Sequence, residues 1–277
     1  APIASWALLK KAVDAADARR ILASAEPLML DRPGIKTQQI GELLADFLRR
    51  MEDKTPPNYL KWGIRQLDEV LTAEPGDFIV LGADSSVGKT ALAVQLAWNM
   101  ASRGRRVGFF SLETSARKLA DRVVAQRARV ELSKIKHKEL TEHDFGDVAA
   151  VGGATSRMCF GITEAAGFGV PELRAVTLAN RYDVIFIDYV QLLKAEGRER
   201  WEIVTKISME LHTMAQQLGV AVIALSQLTP PDKTKGARRA PSRDDLRESR
   251  QLKQDADVIL LMSVSYTHLT LPTNSLV

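Results

Sequence analysis

Phe78-Ile79-Val80-Leu81-Gly82-Ala83-Asp84-Ser85-Ser86-Val87-Gly88-Lys89-Thr90-Ala91 is the stretch that decides the fold. An apolar, β-branched run meets a loop of small and polar residues, and the loop opens a segment of helical periodicity. From Ala83 to Thr90 the spacing is that of GxxxxGK[ST], with Ala83 in place of the first glycine and Gly82 one position early. In such a loop, backbone N–H groups and the helix N-terminus face phosphate oxygens. Glycine admits the close backbone approach. The lysine reaches the β- and γ-phosphates, and the hydroxyl binds Mg²⁺. The motif therefore predicts a nucleotide cradled by Ala83, Asp84, Ser85, Ser86, Val87, Gly88, Lys89, Thr90 and Ala91. A chain of 277 residues meets the pattern by accident about 2% of the time, and the strand-before, helix-after context lowers that further.

Downstream, short apolar runs alternate with helical segments. Strands are predicted at 77–81, 106–111, 158–163, 183–188, 220–226 and 257–263, and helices at 89–103, 116–129, 171–180, 200–218 and 244–254. Val184-Ile185-Phe186-Ile187 is apolar on both faces, as befits a parallel strand covered by helices on each side. The alternation predicts an α/β domain with a mostly parallel, doubly wound sheet.

Upstream the texture is helical. Residues 5–26 keep a 3–4 spacing until Pro27. Residues 37–51 carry the stripe Ile40, Leu43, Leu44, Phe47, Leu48 and Met51, with Thr37 a candidate N-cap. Residues 53–58 read as a linker. The division expected is 1–55 helices and linker helix, 56–264 α/β domain, and 265–277 a separate tail. That tail holds no Asp, Glu, Lys or Arg and reads as foreign to the domain.

Composition excludes several classes. A single cysteine, Cys159, rules out an intramolecular disulfide framework and a multi-cysteine zinc site. Four histidines, none in an HExxH setting, give little support to a histidine metal site. No apolar run approaches a membrane span. Lys+Arg minus Asp+Glu is 38 − 34 = +4, which permits a polyanionic partner without demanding one. Cytoplasm is the expected address. The start at Ala1 reads as a fragment or a processed product.

Three further strand ends carry chemistry. Asp188 closes Val184-Ile185-Phe186-Ile187 in the pattern of a Walker B acid that holds Mg²⁺. Glu113, just past Val107-Gly108-Phe109-Phe110-Ser111, suits a base for the attacking water, and equally a first-turn acid favoured by a helix dipole. Gln227 ends Val222-Ile223-Ala224-Leu225-Ser226. A Gln there can touch the γ-phosphate, although a strand-end Gln is more often simply solvated. In open α/β sheets ligands bind at the carboxyl edge, where all of these ends are expected to converge.

These residues, in this order, resemble the DnaB-family replicative helicases, whose motor is a RecA-like ATPase. The matching stretches are Ser111-Leu112-Glu113, Ile187-Asp188-Tyr189-Val190-Gln191-Leu192-Leu193 and Ala224-Leu225-Ser226-Gln227-Leu228. Asp245-Leu246-Arg247-Glu248-Ser249 and Gln254-Asp255-Ala256-Asp257 are specific to the family, and Gly63-Ile64-Arg65-Gln66-Leu67-Asp68 resembles its entry to the first strand. The resemblance covers 59–263. It implies ATP and Mg²⁺ as cofactors, Lys89 and Thr90 as phosphate and metal residues, Asp188 as second metal residue, Glu113 as catalytic base and Gln227 as γ-phosphate sensor. It also implies a homohexameric ring that translocates 5′ to 3′ on single-stranded DNA, with a primase and a helicase loader as partners and no membrane. Asp84-Ser85-Ser86 departs from the family's more usual Arg-Pro-Ser, and the basic pair that reaches a neighbour's nucleotide is expected beyond Met262.

The segment 229–243 holds Lys233, Lys235, Arg238, Arg239 and Arg243 against one acid, Asp232. In a ring it is expected to face the channel and grip phosphates without reading sequence; the alternative is a solvated loop. Arg198 and Arg200 are a weaker second candidate. Two rivals remain: a RecA- or KaiC-like recombination or regulatory ATPase, and a catalytically silent nucleotide-binding fragment.

Overall fold

Burial of the central strands on both faces is what assembles the domain. The structure, a computed structural model, describes residues 39–53, 57–85, 87–228, 241–246 and 250–263. The chain divides into two compact units, Ala1–Pro57 and Asn58–Val277. The expected helix at 5–26, the Thr37 cap, Ser86, most of the 229–243 segment and the 265–277 tail lie outside the described residues.

In the first unit the described helix is α1 (Ile40–Glu52). It begins at Ile40 with Gln39 at the N-cap, and Gln39 makes no side-chain cap bond. Its apolar stripe is exposed along its whole length.

In the second unit, α2 (Arg65–Val70) precedes β1 (Phe78–Ala83). Asp68 accepts from the N–H groups of Trp62 (2.6 Å) and Gly63 (3.2 Å), and Gly63 adopts a positive φ of 72°. The chain continues through α3 (Lys89–Ala101), β2 (Val107–Ser111), α4 (Ala116–Ala128), α5 (Leu132–His137) and α6 (Glu142–Thr155). Then come β3 (Phe160–Glu164), α7 (Val170–Asn180), β4 (Val184–Asp188), a 3₁₀ turn (Val190–Leu192) and α8 (Arg200–Leu218). β5 (Ala221–Gln227), a 3₁₀ turn (Arg243–Asp245), α9 (Arg250–Asp255) and β6 (Val258–Met262) follow.

The six strands form one sheet in the order β3-β2-β4-β5-β1-β6, every pair parallel. Side chains alternate between its faces. Ile79, Leu81, Phe109, Phe186, Ile223 and Leu225 pack with α3, α4 and α6 on one side. Phe78, Val80, Phe110, Ile185, Ile187, Val222 and Ala224 pack with α7, α8 and α9 on the other. Two cores explain why these strands read as continuously apolar. At one edge the Tyr182 ring covers Gly108 and Gly161, which are paired across β2 and β3, and a Cβ on Gly108 would lie 2.5 Å from that ring.

Two sequence expectations need correction. The single helix expected at 244–254 is instead a 3₁₀ turn and the separate helix α9. Asp245 turns back to accept from Ser242 N–H at 2.7 Å, and Leu246 leaves helical geometry at ψ 36°. Residues 130–157, where the sequence reading placed no element, form α5 and α6. Gly152 and Gly153 blur the periodicity of α6, but its start carries a readable capping box, Thr141 with Asp144.

The segment 254–257 has a structural use. Asp255 accepts from Ser208 Oγ at 2.6 Å on α8, and Asp257 accepts from Phe78 N–H at 2.8 Å, fastening α9 and β6 to the core.

Candidate nucleotide site

Four strand ends meet at the carboxyl edge of the sheet because the register places them there. Asp188 lies beside Ser111, and Ala83 beside Gln227. They frame an open cleft of about 870 Å³. Among the residues lining it are Asp84, Ser85, Gly88, Lys89, Thr90, Ala91, Glu113, Asp188 and Gln227.

Gly88 caps α3 with φ 98°, a left-handed conformation that costs glycine least. That turn sets Lys89 and Thr90 on the first helical turn, facing β4. Thr90 Oγ1 donates to Asp188 Oδ2 at 2.8 Å, and Lys89 Nζ stands 5.3 Å from the centre of the Tyr189 ring. Burial lowers the Lys89 pKa, while Asp188, Glu113 and Asp84 pull it back up. Burial pushes the Asp188 carboxyl above the usual carboxylate range, against the hydrogen bond from Thr90 and the nearby Lys89 and Arg122 cations; Glu113 adds to the upward push. A buried carboxylate beside a hydroxyl, held at the cost of its ionisation, suits a hard divalent cation with oxygen ligands.

Glu113 lies on a tight turn. The Ser111 hydroxyl accepts from Thr114 N–H at 3.2 Å, and Leu112 N–H donates to Asp188 O at 2.9 Å, so the turn is pinned to β4. Because α4 starts only at Ala116, with Ser115 as its N-cap, Glu113 is not a first-turn residue. It is exposed and faces the cleft.

Ala83 is the buried last residue of β1 and, like Val87, is not among the described residues that line the cleft. Gly82 fits between Leu228 and Leu261, whose Cδ2 atoms would each lie 3.0 Å from an added Cβ; it serves packing within the sheet. Of the basic residues at 229–243, Lys233, Lys235, Arg238 and Arg239 lie outside the described residues. Arg243 is exposed, and its guanidinium donates to Lys253 O at 3.3 Å. Arg198 N–H donates to Glu202 Oε2 at 3.1 Å, and Arg200 opens α8.

The sequence reading missed several cleft residues. Arg122, Ala125 and Gln126 line it from α4. Their i, i+3, i+4 spacing was the available signal. Tyr189 directly follows Asp188, and Gln191 ties the adjacent turn to the end of β5.

Residues 60–271 match the DnaB-like helicase C-terminal domain family. The probable plasmid replicative DNA helicase of Chlamydia trachomatis is 34% identical over 209 residues, covering 73% of this chain and 46% of that protein. Replicative DNA helicase DnaC of Bacillus subtilis (strain 168) is also 34% identical over 209 residues, covering 72% and 46%. The chain thus spans about half the length of the curated relatives it matches. Among solved structures, one ATPase domain superposes with a TM-score of 0.77 at 29% identity, covering 83% of this chain and 84% of that one. A DnaB-like replicative helicase described with its primase interactions gives 0.71 at 27% identity, covering 94% and 65%. The parallel sheet and its helical layers are therefore those of a RecA-like ATPase domain, and the chain belongs to the DnaB-like helicase C-terminal domain family.

Proposed function

We propose that the chain is the ATP-driven motor of a replicative DNA helicase, which moves along single-stranded DNA and unwinds duplex at the replication fork. The observation that carries this reading is the bond of 2.8 Å between Thr90 Oγ1 and Asp188 Oδ2, with Lys89, Glu113 and Gln227 around one cleft. Thr90 and Asp188 would hold Mg²⁺, which would supply positive charge to offset the negative charge developing on the phosphates. Lys89 lies against the β- and γ-phosphates and offsets their negative charge. Glu113 accepts a proton from water as its oxygen bonds to the γ-phosphorus. The bond from that phosphorus to the β–γ bridging oxygen breaks, leaving ADP and phosphate. Gln227 hydrogen-bonds the γ-phosphoryl group and loses that partner when phosphate departs.

The partners proposed are single-stranded DNA, further copies of the chain in a hexameric ring, a primase and a loader, in the cytoplasm. Lys233, Lys235, Arg238, Arg239 and Arg243 are proposed to hold the DNA backbone. The relatives' names support a DNA partner, and the neighbour described with its primase interactions supports a primase. The test is ATP turnover with and without single-stranded DNA. Turnover that rises with DNA and disappears in Glu113→Gln supports the motor; DNA-independent turnover sinks it.

A further inference from the structure

Ladder pairing between β4 and β5 ends at Ile187 opposite Ala224. β5 runs on through Leu225, Ser226 and Gln227, held on its other side by β1 through Gly82 opposite Ser226 and Ala83 opposite Gln227. On the β4 side the chain turns away after Asp188 into the 3₁₀ turn Val190–Leu192. That turn brings Gln191 back to the open flank. Its Nε2 donates to the Gln227 carbonyl at 3.1 Å and to Ser226 Oγ at 2.9 Å, and its Oε1 accepts from Gln227 N–H at 3.4 Å.

A carboxamide carries a donor and an acceptor in the same arrangement as a peptide unit, so it can pair with both backbone groups of one residue. The reversed amide would set its oxygen against the Gln227 carbonyl, so the network itself orients the group. We propose that Gln191 is a positioning residue for the nucleotide site: its side chain replaces the missing rung between β4 and β5 and directs Gln227 into the cleft. Gln191 is not among the described residues lining the cleft, whereas Gln227 is, so its effect passes through Gln227. The turn that carries it begins two residues after Asp188. The metal-side acid and the γ-phosphate contact are thereby held by one short piece of chain.

This inference rests on reading Gln227 as the residue that contacts the γ-phosphate. The test is a double-mutant cycle on the whole chain, with Mg²⁺–ATPγS and Mg²⁺–ADP affinities measured by calorimetry. Gln227→Ala is expected to reduce the preference for ATPγS over ADP roughly tenfold, the loss of one hydrogen bond to a charged oxygen. Gln191→Ala is expected to lose the same preference with its ADP affinity unchanged, and the double variant to lose no more than either single one. Gln191→Glu keeps the size and the acceptor but loses the donor to the Gln227 carbonyl. It is expected to behave like Gln191→Ala and serves in its place if the alanine variant does not fold. A folded Gln191 variant with the wild-type preference overturns the proposal, as does a double variant whose loss is the product of the two single losses. Wild type that binds neither nucleotide overturns the nucleotide reading as well, and only that outcome touches the wild type.

Discussion

Thr90 and Asp188, 98 residues apart in the chain, are joined by a bond of 2.8 Å from hydroxyl to carboxylate. The two strands that lead to them, β1 and β4, are not neighbours, because β5 lies between them. Thr90 therefore reaches Asp188 across the end of β5, and this places Gln227, the last residue of β5, between the Gly88–Thr90 turn and Asp188. The cleft lies at the carboxyl edge of the sheet, lined from these strand ends and from that of β2 through Glu113.

Asp188→Asn separates the cost of this arrangement from its use. The Asp188 carboxyl titrates above the ordinary carboxylate range because it is buried, so the folded state binds its proton more tightly than the unfolded state does. Its contribution to stability therefore weakens as pH rises from the ordinary value through the raised one. At neutral pH the asparagine variant is expected to melt at or above the wild-type temperature, and the difference should shrink as pH falls. Mg²⁺-dependent nucleotide binding should disappear. Thermal melts across pH and calorimetry check the two halves.

Lys89→Ala should cost affinity and not stability. Burial already disfavours the charged form of this side chain, so its removal relieves the fold of a poorly solvated cation. ATP affinity should fall on the order of 10- to 100-fold, the range for hydrogen bonds to charged groups. A folded variant with unchanged calorimetric affinity would sink the assignment.

Glu113→Gln should bind Mg²⁺–ATP as the wild type does and turn it over slowly. The amide keeps the shape but cannot take the proton of the water, and the loss expected for a general base is about 10²- to 10⁴-fold. Single-turnover kinetics separate this from slow product release. Near-normal turnover would send the search for the base elsewhere on the cleft.

Neutralising Lys233, Lys235, Arg238 and Arg239 together should weaken single-stranded DNA binding about equally for all sequences. Each lost phosphate contact should flatten the slope of log affinity against log salt by about 0.7. Binding isotherms at several salt concentrations test this. A slope that does not move shows that the strand is held by other residues.

Gly108→Ala probes packing at a position that is not among the described residues lining the cleft. The added Cβ would meet the Tyr182 ring, which is buried and also covers Gly161. Overpacking of this kind costs about 1–3 kcal/mol. Urea unfolding should show that loss while nucleotide affinity, measured on the folded fraction, is retained.

What the amino-acid sequence determined by itself is local. Runs such as Val184-Ile185-Phe186-Ile187 must be buried on both faces, and the loop into Lys89 and Thr90 must open a helix, because burial and backbone conformation at those positions depend on near neighbours. From this came the α/β architecture and the four strand ends that carry Lys89, Glu113, Asp188 and Gln227. The 3.6-residue stripe likewise marked α1. Strand order was not legible, because it depends on which faces pack best over long separations. Only the tertiary structure showed β5 between β4 and β1, which sets Gln227 beside Ala83. Only it removed Glu113 from the first turn of α4, by starting that helix at Ala116. Only it split 244–254, where Ser242 and Asp245 form a capping box at the start of a 3₁₀ turn and Leu246 leaves helical geometry at ψ 36°. Arg122, Tyr189 and Gln191 acquired places at or beside the cleft through packing, since a polar residue on a helix or turn has no direction until its neighbours supply one.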